Sequence, residues 1–204
     1  MVQELLYAFL IALTNNVDNV GARVAYSIQG TKISTPINLW ISVITFVISL
    51  AAAVSGTMIS GALGKGISSV IAMVFLVAIG LWMILEPRLK RLYSAKLSKD
   101  NSKGVLGILL RPESADMDNS KHIDFKEATF LGVALSLNNV GGGLSAGMLG
   151  LNSLLVGFLS AVLSFVSLWA GNYLAEFFIR RNISEKAGFV GGVLLIAIGI
   201  GQLF

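Results

Sequence analysis

Long runs of hydrophobic positions dominate the chain, separated by short polar connections and one long charged stretch. A run of about 20 apolar residues is the length that a helix needs to cross a bilayer. Six such helices are predicted, at residues 3–28, 36–63, 67–85, 127–149, 152–178 and 187–204. The pattern predicts an all-α polytopic membrane protein with a first three-helix repeat at 1–86, a charged cytoplasmic loop at 87–126 and a second three-helix repeat at 127–204.

Composition supports this class of protein. Hydrophobic residues make up 55% of the 204 residues, charged residues make up 13%, and the mean hydropathy is +0.80, which excludes an ordinary soluble domain. Cysteine is absent, so disulfides and zinc–thiolate sites are excluded. The start, Met1-Val2-Gln3-Glu4, has no basic region of a signal peptide, and the first helix is expected to remain.

The basic residues predict the orientation in the membrane. Of the 15 Lys and Arg residues, all but Arg23 and Lys65 lie in the connections that follow predicted helices 1, 3 and 5. Basic connections stay in the cytoplasm. We therefore expect a bacterial inner-membrane protein with both termini outside, whose net charge of +4 reflects topology and indicates no nucleic-acid partner.

A motif in the first predicted helix recurs in the fourth. Asn16-Val17-Asp18-Asn19-Val20-Gly21 returns as Ser136-Leu137-Asn138-Asn139-Val140-Gly141, and Ser49 and Gly56 match Ser164 and Gly171. Because each repeat has an odd number of helices, the second must enter the membrane from the opposite side. The sequence predicts two inverted repeats; chance similarity between two helices rich in small residues is the alternative.

Polar residues lie in the middle of both copies of the motif. Asn15, Asp18 and Asn19 share one face of the first helix, and Asn138 and Asn139 lie in the fourth. A carboxylate at a membrane-helix centre costs about 2.5 to 3.5 kcal/mol, so it usually faces a partner or a pathway. Carboxylate and amide oxygens suit Mg, Ca or Mn, and these five residues are the predicted metal site. The alternative is hydrogen bonding that only holds the helices together.

Two neighbouring features bear on this site. Arg23 lies one turn beyond Asn19, where it is a candidate counter-charge or coupling group for Asp18; its depth favours partial snorkelling towards the cytoplasm. The run Gly141-Gly142-Gly143 indicates either close helix packing or local unwinding that would expose carbonyl oxygens to a cation.

The end of the charged loop matches the twelve-residue EF-hand pattern, which predicts a Ca²⁺ site. Lys121 replaces the glycine of that pattern, which argues against it because positive φ is unfavourable for other residues. The alternative is an acidic loop in which Asp124 or Glu127 caps the next helix. The candidate ligands are Asp116, Asp118, Ser120, His122 through its carbonyl, Asp124 and Glu127.

The chain resembles the manganese efflux pump (MntP) family, most closely its YtaF-type sporulation membrane protein branch. The resemblance rests on the two motifs above, on Leu110-Arg111-Pro112 with Ala115-Asp116-Met117-Asp118, and on the closing run Gly191 to Gly199. It implies a six-helix, twice-repeated inner-membrane protein, with manganese export attributed to the pump branch of the family. The family usually has an aspartate in each repeat, whereas this chain has Asn138 in the second, which weakens a dication site.

These observations lead to one expected function and one alternative. We expect a secondary transporter that exports a divalent cation, with Mn²⁺ as the substrate, the bilayer as its surroundings and proton or ion exchange as its drive. No phosphate-binding loop, cofactor motif or complete catalytic set is present in the sequence, so an enzyme is not expected. The alternative is a non-transporting sporulation membrane protein whose cytoplasmic loop binds Ca²⁺ or a partner. The sequence does not indicate an oligomeric state.

Overall fold

Helices make up the regular structure of the computed structural model, which describes residues 2–28, 31–94, 116, 120–181, 193, 196, 197 and 200. No strand forms in these residues, and Lys32 and His122 make an isolated parallel bridge. The all-α prediction is confirmed for this part of the chain, and the predicted helix at 187–204 lies outside it as an element. The helices are α1 (Val2–Ile28), α2 (Thr35–Leu63), α3 (Lys65–Ser94), α4 (Phe125–Leu135), α5 (Leu137–Met148) and α6 (Ser153–Arg181).

Three segments of the described residues are long and apolar enough to cross a membrane: Thr35–Leu63, Lys65–Trp82 and Ser153–Gly171. Large apolar side chains such as Val47, Met58 and Phe158 are exposed on their outer faces. An apolar exterior is expected where lipid replaces water as the solvent.

Two glycines shape the connections at one end of the bundle. Gly64, with φ of 81°, ends α2 and donates its N–H to the Ser60 carbonyl. Gly150, with φ of 78°, follows α5. Positive φ is readily adopted by glycine, so both helices can end in tight connections to the next element.

Helix α3 is longer than predicted. Its apolar run ends near residue 85, but the helix continues to Ser94 into the segment assigned to the charged loop. The added part contains Leu, Lys and Arg residues, which have high helix propensity. The end of a hydrophobic run therefore marks the expected end of the membrane-spanning part and not the end of the helix.

The fourth predicted helix, 127–149, is divided into two. Helix α4 ends at Leu135 and α5 begins at Leu137, with Ser136 between them at φ −87° and ψ −3°. The break lies before the asparagine pair and not at the three glycines, where local unwinding was one of the two interpretations. Those glycines lie inside α5.

Buried side chains form three layers along the bundle. A loop-side apolar cluster lies near the α1–α2 connection, and a turn-side apolar cluster lies near Gly150. The loop-side cluster contains Ala22, Tyr26, Ile37, Ile41, Ile123, Ala128, Leu131, Ala134, Leu135 and Leu168. The turn-side cluster contains Ala8, Ile11, Ala53, Leu76, Ala146, Leu151 and Val156. Between them lies a polar layer.

Candidate functional site

The polar layer consists of buried amide and hydroxyl side chains near the middle of four helical segments. Each member is at most 1% exposed. Burying so many polar groups is unfavourable unless they are hydrogen-bonded or bind a ligand. The members are Asn15, Asn16, Asn19, Thr45, Ser49, Ser136, Asn139 and Ser164.

A pair of amides joins α1 to α5 in this layer. The Asn16 Nδ2 donates to Asn139 Oδ1 at 3.2 Å, and the Asn139 Nδ2 donates back to Asn16 Oδ1 at 3.5 Å. Asn16 Nδ2 also donates to the Ala12 carbonyl within α1 at 2.8 Å. The two copies of the repeated motif are therefore in direct contact through these side chains.

A second set of contacts continues the layer towards α2 and α6. Asn19 Nδ2 donates to Asn16 Oδ1 at 3.1 Å and to Ser164 Oγ at 3.2 Å. Thr45 Oγ1 lies 3.3 Å from Ser164 Oγ and 2.9 Å from Ser136 Oγ. The hydroxyls thus connect the break between α4 and α5 to α2, α6 and α1.

Three buried oxygens of the layer have no hydrogen-bond partner within the described part of the chain. They are Asn15 Oδ1, Asn19 Oδ1 and Ser49 Oγ. A buried acceptor without a donor costs about 1–3 kcal/mol. These oxygens are available to coordinate a ligand such as a cation.

Close packing of α5 brings this layer together. A Cβ built on Gly142 would overlap the Asn15 amide, and one on Gly143 would lie 2.9 Å from the Ser49 carbonyl oxygen. On the other side, a Cβ on Gly141 would meet the Ile79 side chain of α3. The packing interpretation of the glycine run therefore agrees with the structure.

The structure gathers some of the predicted metal-site residues. Asn15, Asn19 and Asn139 are buried in the polar layer, and Asn138 is half-buried. The backbone of Asp18 lies in α1, but its side chain is outside the described part of the structure. The ligand roles of these residues remain predictions.

Five members of the layer were not among the predicted ligands. Asn16 and Ser136 stand in the repeated motif, and Ser164 matches Ser49 in the repeat, so the repeat was a signal for them. Thr45 had no such signal, because a threonine in an apolar helix usually bonds its own backbone, as Thr45 does to Ile41.

Arg23 is buried, at 3% exposure, and the predicted partial snorkelling does not bring it to the surface. Its Nη1 donates to the Thr31 carbonyl at 3.2 Å, in the connection after α1. The guanidinium therefore reaches towards the loop end of the bundle while staying covered by protein. A pair with Asp18 lies outside what the structure describes.

The loop before α4 is held by capping and by the α1–α2 connection. Asp124 Oδ1 accepts the Glu127 N–H at 2.7 Å, and Glu127 Oε2 accepts the Asp124 N–H at 3.1 Å, which forms a capping box. Lys32 donates its N–H to the Lys121 carbonyl at 2.9 Å. The helix-capping interpretation is thus confirmed for both acidic residues.

The remaining predicted loop ligands do not form an acidic cluster in the described structure. Asp116 Oδ2 accepts from Thr31 Oγ1 at 3.3 Å and from the Lys121 N–H at 3.2 Å. Lys121 adopts the positive φ, 65°, that the EF-hand pattern demands of its glycine. Among the residues described, no group of three or more His, Cys, Asp or Glu could hold a metal ion. Asp118 lies outside them, and Ca²⁺ binding here stays a prediction.

Comparisons with known proteins agree with these features. Residues 29–203 match the family described as "Putative manganese efflux pump". The chain is 25% identical to "Probable sporulation protein YtaF" of Bacillus subtilis over 98% of this chain and 100% of that protein. It is 29% identical to "Putative manganese efflux pump MntP" of Clostridium perfringens (strain SM101 / Type A) over 56% of each.

No solved structure matches the chain, so family membership rests on the sequence comparisons. The family match covers most of the chain, and the apolar helices described above are those of a membrane protein. The family is one of efflux pumps by its description and not one of enzymes. The chain belongs to the MntP family, described as "Putative manganese efflux pump".

Proposed function

We propose that this protein is a secondary transporter that exports a divalent cation, with Mn²⁺ as the substrate, through the polar layer between α1 and the broken helix α4–α5. The observation that carries the proposal is the contact of Asn16 with Asn139 at 3.2 Å, beside amide oxygens of Asn15 and Asn19 that have no partner among described residues. Broken helices that meet near mid-membrane are typical of transporter binding sites.

The packing of the helices supports two inverted repeats. Helix α1 packs on α6, and α5 packs on α2. Gly171 of α6 lies against Val20 and Arg23 of α1, whereas its repeat equivalent, Gly56 of α2, lies against Leu144 of α5. The first helix of each repeat thus crosses the second helix of the other. Such reciprocal packing is expected for halves related by a two-fold axis in the membrane plane.

The two apolar clusters give the proposal a mechanism. The polar layer lies between the loop-side cluster and the turn-side cluster, so it is closed towards both ends of the described bundle. Alternating access would require the clusters to open one at a time, as one repeat moves against the other.

Asp18 is the proposed charged ligand, with Asn15, Asn19, Asn138 and Asn139 as neutral ligands. A dication in a site of low dielectric needs a negative partner, and Asp18 supplies the only carboxylate in either copy of the motif. Arg23 is the proposed counter-charge, since it is buried one turn beyond Asn19 in the same helix.

The test is metal flux in proteoliposomes. Radiolabelled Mn²⁺ flux would be measured under an imposed pH gradient for wild type, Asp18→Asn and the matched control Asp124→Asn, with Ca²⁺, Mg²⁺ and Zn²⁺ as competitors. Asn is as good a helix cap as Asp, so the control should transport normally. We expect flux to be lost only in Asp18→Asn. Folded wild type that moves none of these ions would overturn the proposal.

The second candidate is a non-transporting sporulation membrane protein. Its support is the similarity to the YtaF protein along the full length of both chains, whereas the match to the Clostridium perfringens pump covers 56% of each. In that case the polar layer would serve only to hold the helices together. Asp18→Asn would then leave the biological function intact or lower stability, without any metal flux to lose.

A further inference from the structure

The three unpartnered oxygens of the polar layer can bind a second ligand in turn with the transported metal, since Asn15 and Asn19 are also its proposed neutral ligands. The geometry points to a binding site for a small monovalent cation, made by Asn15 Oδ1, Asn19 Oδ1 and Ser49 Oγ, whose occupancy couples metal export to the gradient of that cation. The coupling part of this inference rests on the proposed transport function; the binding part does not.

The orientation of the Asn19 amide is determined by its neighbours. Its Nδ2 donates to both Asn16 Oδ1, at 3.1 Å, and Ser164 Oγ, at 3.2 Å. Turning the amide over would lose the bond to Asn16 Oδ1, which can only accept, so the nitrogen faces these two partners and the oxygen faces away from them. That oxygen is fully buried and has no donor among the residues with described positions.

The three oxygen-bearing residues all belong to the buried polar layer. Asn15 and Asn19 are one turn apart on the same face of α1, where side chains at i and i+4 are neighbours. Asn15 packs on Gly142 of α5, and the Ser49 backbone packs on the adjacent Gly143. Asn15 and the Ser49 backbone therefore contact neighbouring positions of α5, which places both residues beside the same part of that helix.

A departure from the repeat explains why Ser49 has no partner. Asn19 and Ser164 are hydrogen-bonded at 3.2 Å, and their repeat equivalents are Asn139 and Ser49. The Asn139 amide bonds Asn16 instead, and Ser49 Oγ is left without a bond in the described structure. The two halves therefore use equivalent residues differently, which leaves an oxygen for a ligand on one side only.

Neutral oxygens favour a monovalent cation over a divalent one. The cost of removing an ion from water rises with the square of its charge, so a dication at Asn15 and Asn19 also needs the proposed Asp18 carboxylate, whereas a monovalent cation does not. Carbonyl oxygens alone can replace the hydration shell of K⁺ in channels, and transporters bind Na⁺ with backbone carbonyls. Amide and hydroxyl oxygens do not take up protons in the physiological range, so this set is not a proton carrier.

Binding is tested by thermal unfolding of the purified protein in detergent, with NaCl or KCl replacing choline chloride at constant ionic strength. We expect at least one of the two cations to raise the Tm of wild type saturably, by roughly 5 °C. Ser49→Ala should abolish the rise without lowering the Tm in choline, because it removes a buried hydroxyl that has no bond. Ser55→Ala is the matched control, since Ser55 is exposed on the same helix and bonds Ala51.

Direct binding of ²²Na⁺ or ⁸⁶Rb⁺ to wild type, Ser49→Ala and Ser55→Ala gives a second readout that does not depend on unfolding. Loss of binding in Ser49→Ala alone would support the site. The site is overturned if wild type neither shifts nor binds, or if Ser49→Ala responds as wild type does.

Coupling is tested by measuring Mn²⁺ flux in liposomes in which choline replaces Na⁺ and K⁺. We expect flux to fall about fivefold or more relative to a Na⁺ or K⁺ gradient. Equal Mn²⁺ flux with and without these cations would overturn coupling while the proposed metal export stands. No Mn²⁺ flux under any gradient, together with cation binding that Ser49→Ala abolishes, would overturn metal export and leave the cation site.

Discussion

Asn16 is the residue that ties the polar layer together. It exchanges hydrogen bonds with Asn139, accepts one from Asn19 and bonds its own helix at Ala12. A side chain with all of these partners is satisfied as a structural group, whereas Asn15 and Asn19 each keep an oxygen without a partner in the described residues. Neighbouring asparagines of one helix thus differ, because Asn16 is satisfied by protein partners whereas Asn15 and Asn19 keep open oxygens and are the proposed ligands.

Asn16→Ala and Asn139→Ala should each destabilise the protein by about 1–3 kcal/mol, because each leaves a buried amide without its partner. The double variant should be less destabilised than the sum, with a coupling of about 0.6 to 1.7 kcal/mol. Unfolding in SDS–detergent mixtures measures the stability of the two single variants and of the double variant. Asn139→Ala combined with Asn152→Ala is the control and should be additive, since Asn152 is exposed and outside the layer. Additive effects for Asn16 and Asn139 would contradict the reciprocal pair.

Asn138 stands where the resemblance to the family leads us to expect an aspartate. Asn138→Asp should lower the KM for Mn²⁺ about tenfold, because a second carboxylate offsets more of the charge of a dication. Transport kinetics in proteoliposomes measure the change. Asn152→Asp adds the same charge at an exposed position and should leave the KM unchanged. An unchanged KM in Asn138→Asp would place residue 138 away from the metal.

At the scale of the element, close helix crossings at glycine position the polar layer. Helices α2 and α5 approach so closely that a Cβ on Gly147 would overlap the Ala53 carbonyl, and one on Gly56 would overlap the Leu144 carbonyl. Backbone atoms cannot move aside as a flexible side chain can. The crossing therefore holds the break at Ser136 beside Thr45, whose hydroxyls are 2.9 Å apart.

Gly147→Ala should destabilise the protein by about 1–3 kcal/mol, since the new methyl group must push α5 away from α2. Gly61→Ala is the matched control on α2, where a Cβ meets nothing within 4 Å. It should be neutral or stabilising by up to about 1 kcal/mol, because alanine favours a helix over glycine. Thermal unfolding in detergent compares Gly147→Ala with Gly61→Ala. Equal stabilities would mean that the crossing of α2 and α5 can relax to admit the methyl group.

The start of α4 offers a test of capping against metal binding. Asp124→Ala should cost about 1 kcal/mol of stability, whereas Asp124→Asn should cost little, because Asn is as good an N-cap. A Ca²⁺ titration of the Tm of wild type and both variants completes the measurement. A Ca²⁺-dependent rise in wild type that Asp124→Asn removes would support the metal loop instead.

At the scale of the whole molecule, two connections meet at one end of the bundle. The segment after α1 and the segment before α4 are joined by backbone hydrogen bonds, from Lys32 N–H to Lys121 O at 2.9 Å and from Ile123 N–H to Lys32 O at 3.2 Å. Both segments carry the basic residues that the positive-inside rule assigns to the cytoplasm. The structure thus places at one end of the bundle the two connections that the charge pattern assigns to the cytoplasmic side.

Single cysteines can report this orientation, because the chain contains no cysteine. In Lys32→Cys the thiol should be labelled by a membrane-impermeant maleimide only after cells are opened, and in Lys65→Cys it should be labelled from outside. Both positions are exposed. Labelling of Lys32→Cys in intact cells would contradict the proposed topology and place this connection outside the cell.

The sequence by itself determined the membrane class, the bounds of α1 and α2 to within a residue or so, and three of the buried asparagines of the polar layer, Asn15, Asn19 and Asn139. These follow from local properties: the length of apolar runs, the period of a helix, and the recurrence of one motif. Capping of α4 by Asp124 or Glu127 was one of two interpretations that local chemistry offered, and the structure shows both residues in a capping box.

Tertiary structure alone decided which asparagine is satisfied and which is left with an open oxygen. It also located the break at Ser136 and brought in Thr45 and Ser164 from other helices. Partners more than 90 residues apart depend on how helices cross, and glycine contacts with a neighbouring backbone set that crossing. A one-dimensional pattern reports each helix face, but it does not report the distance between two faces.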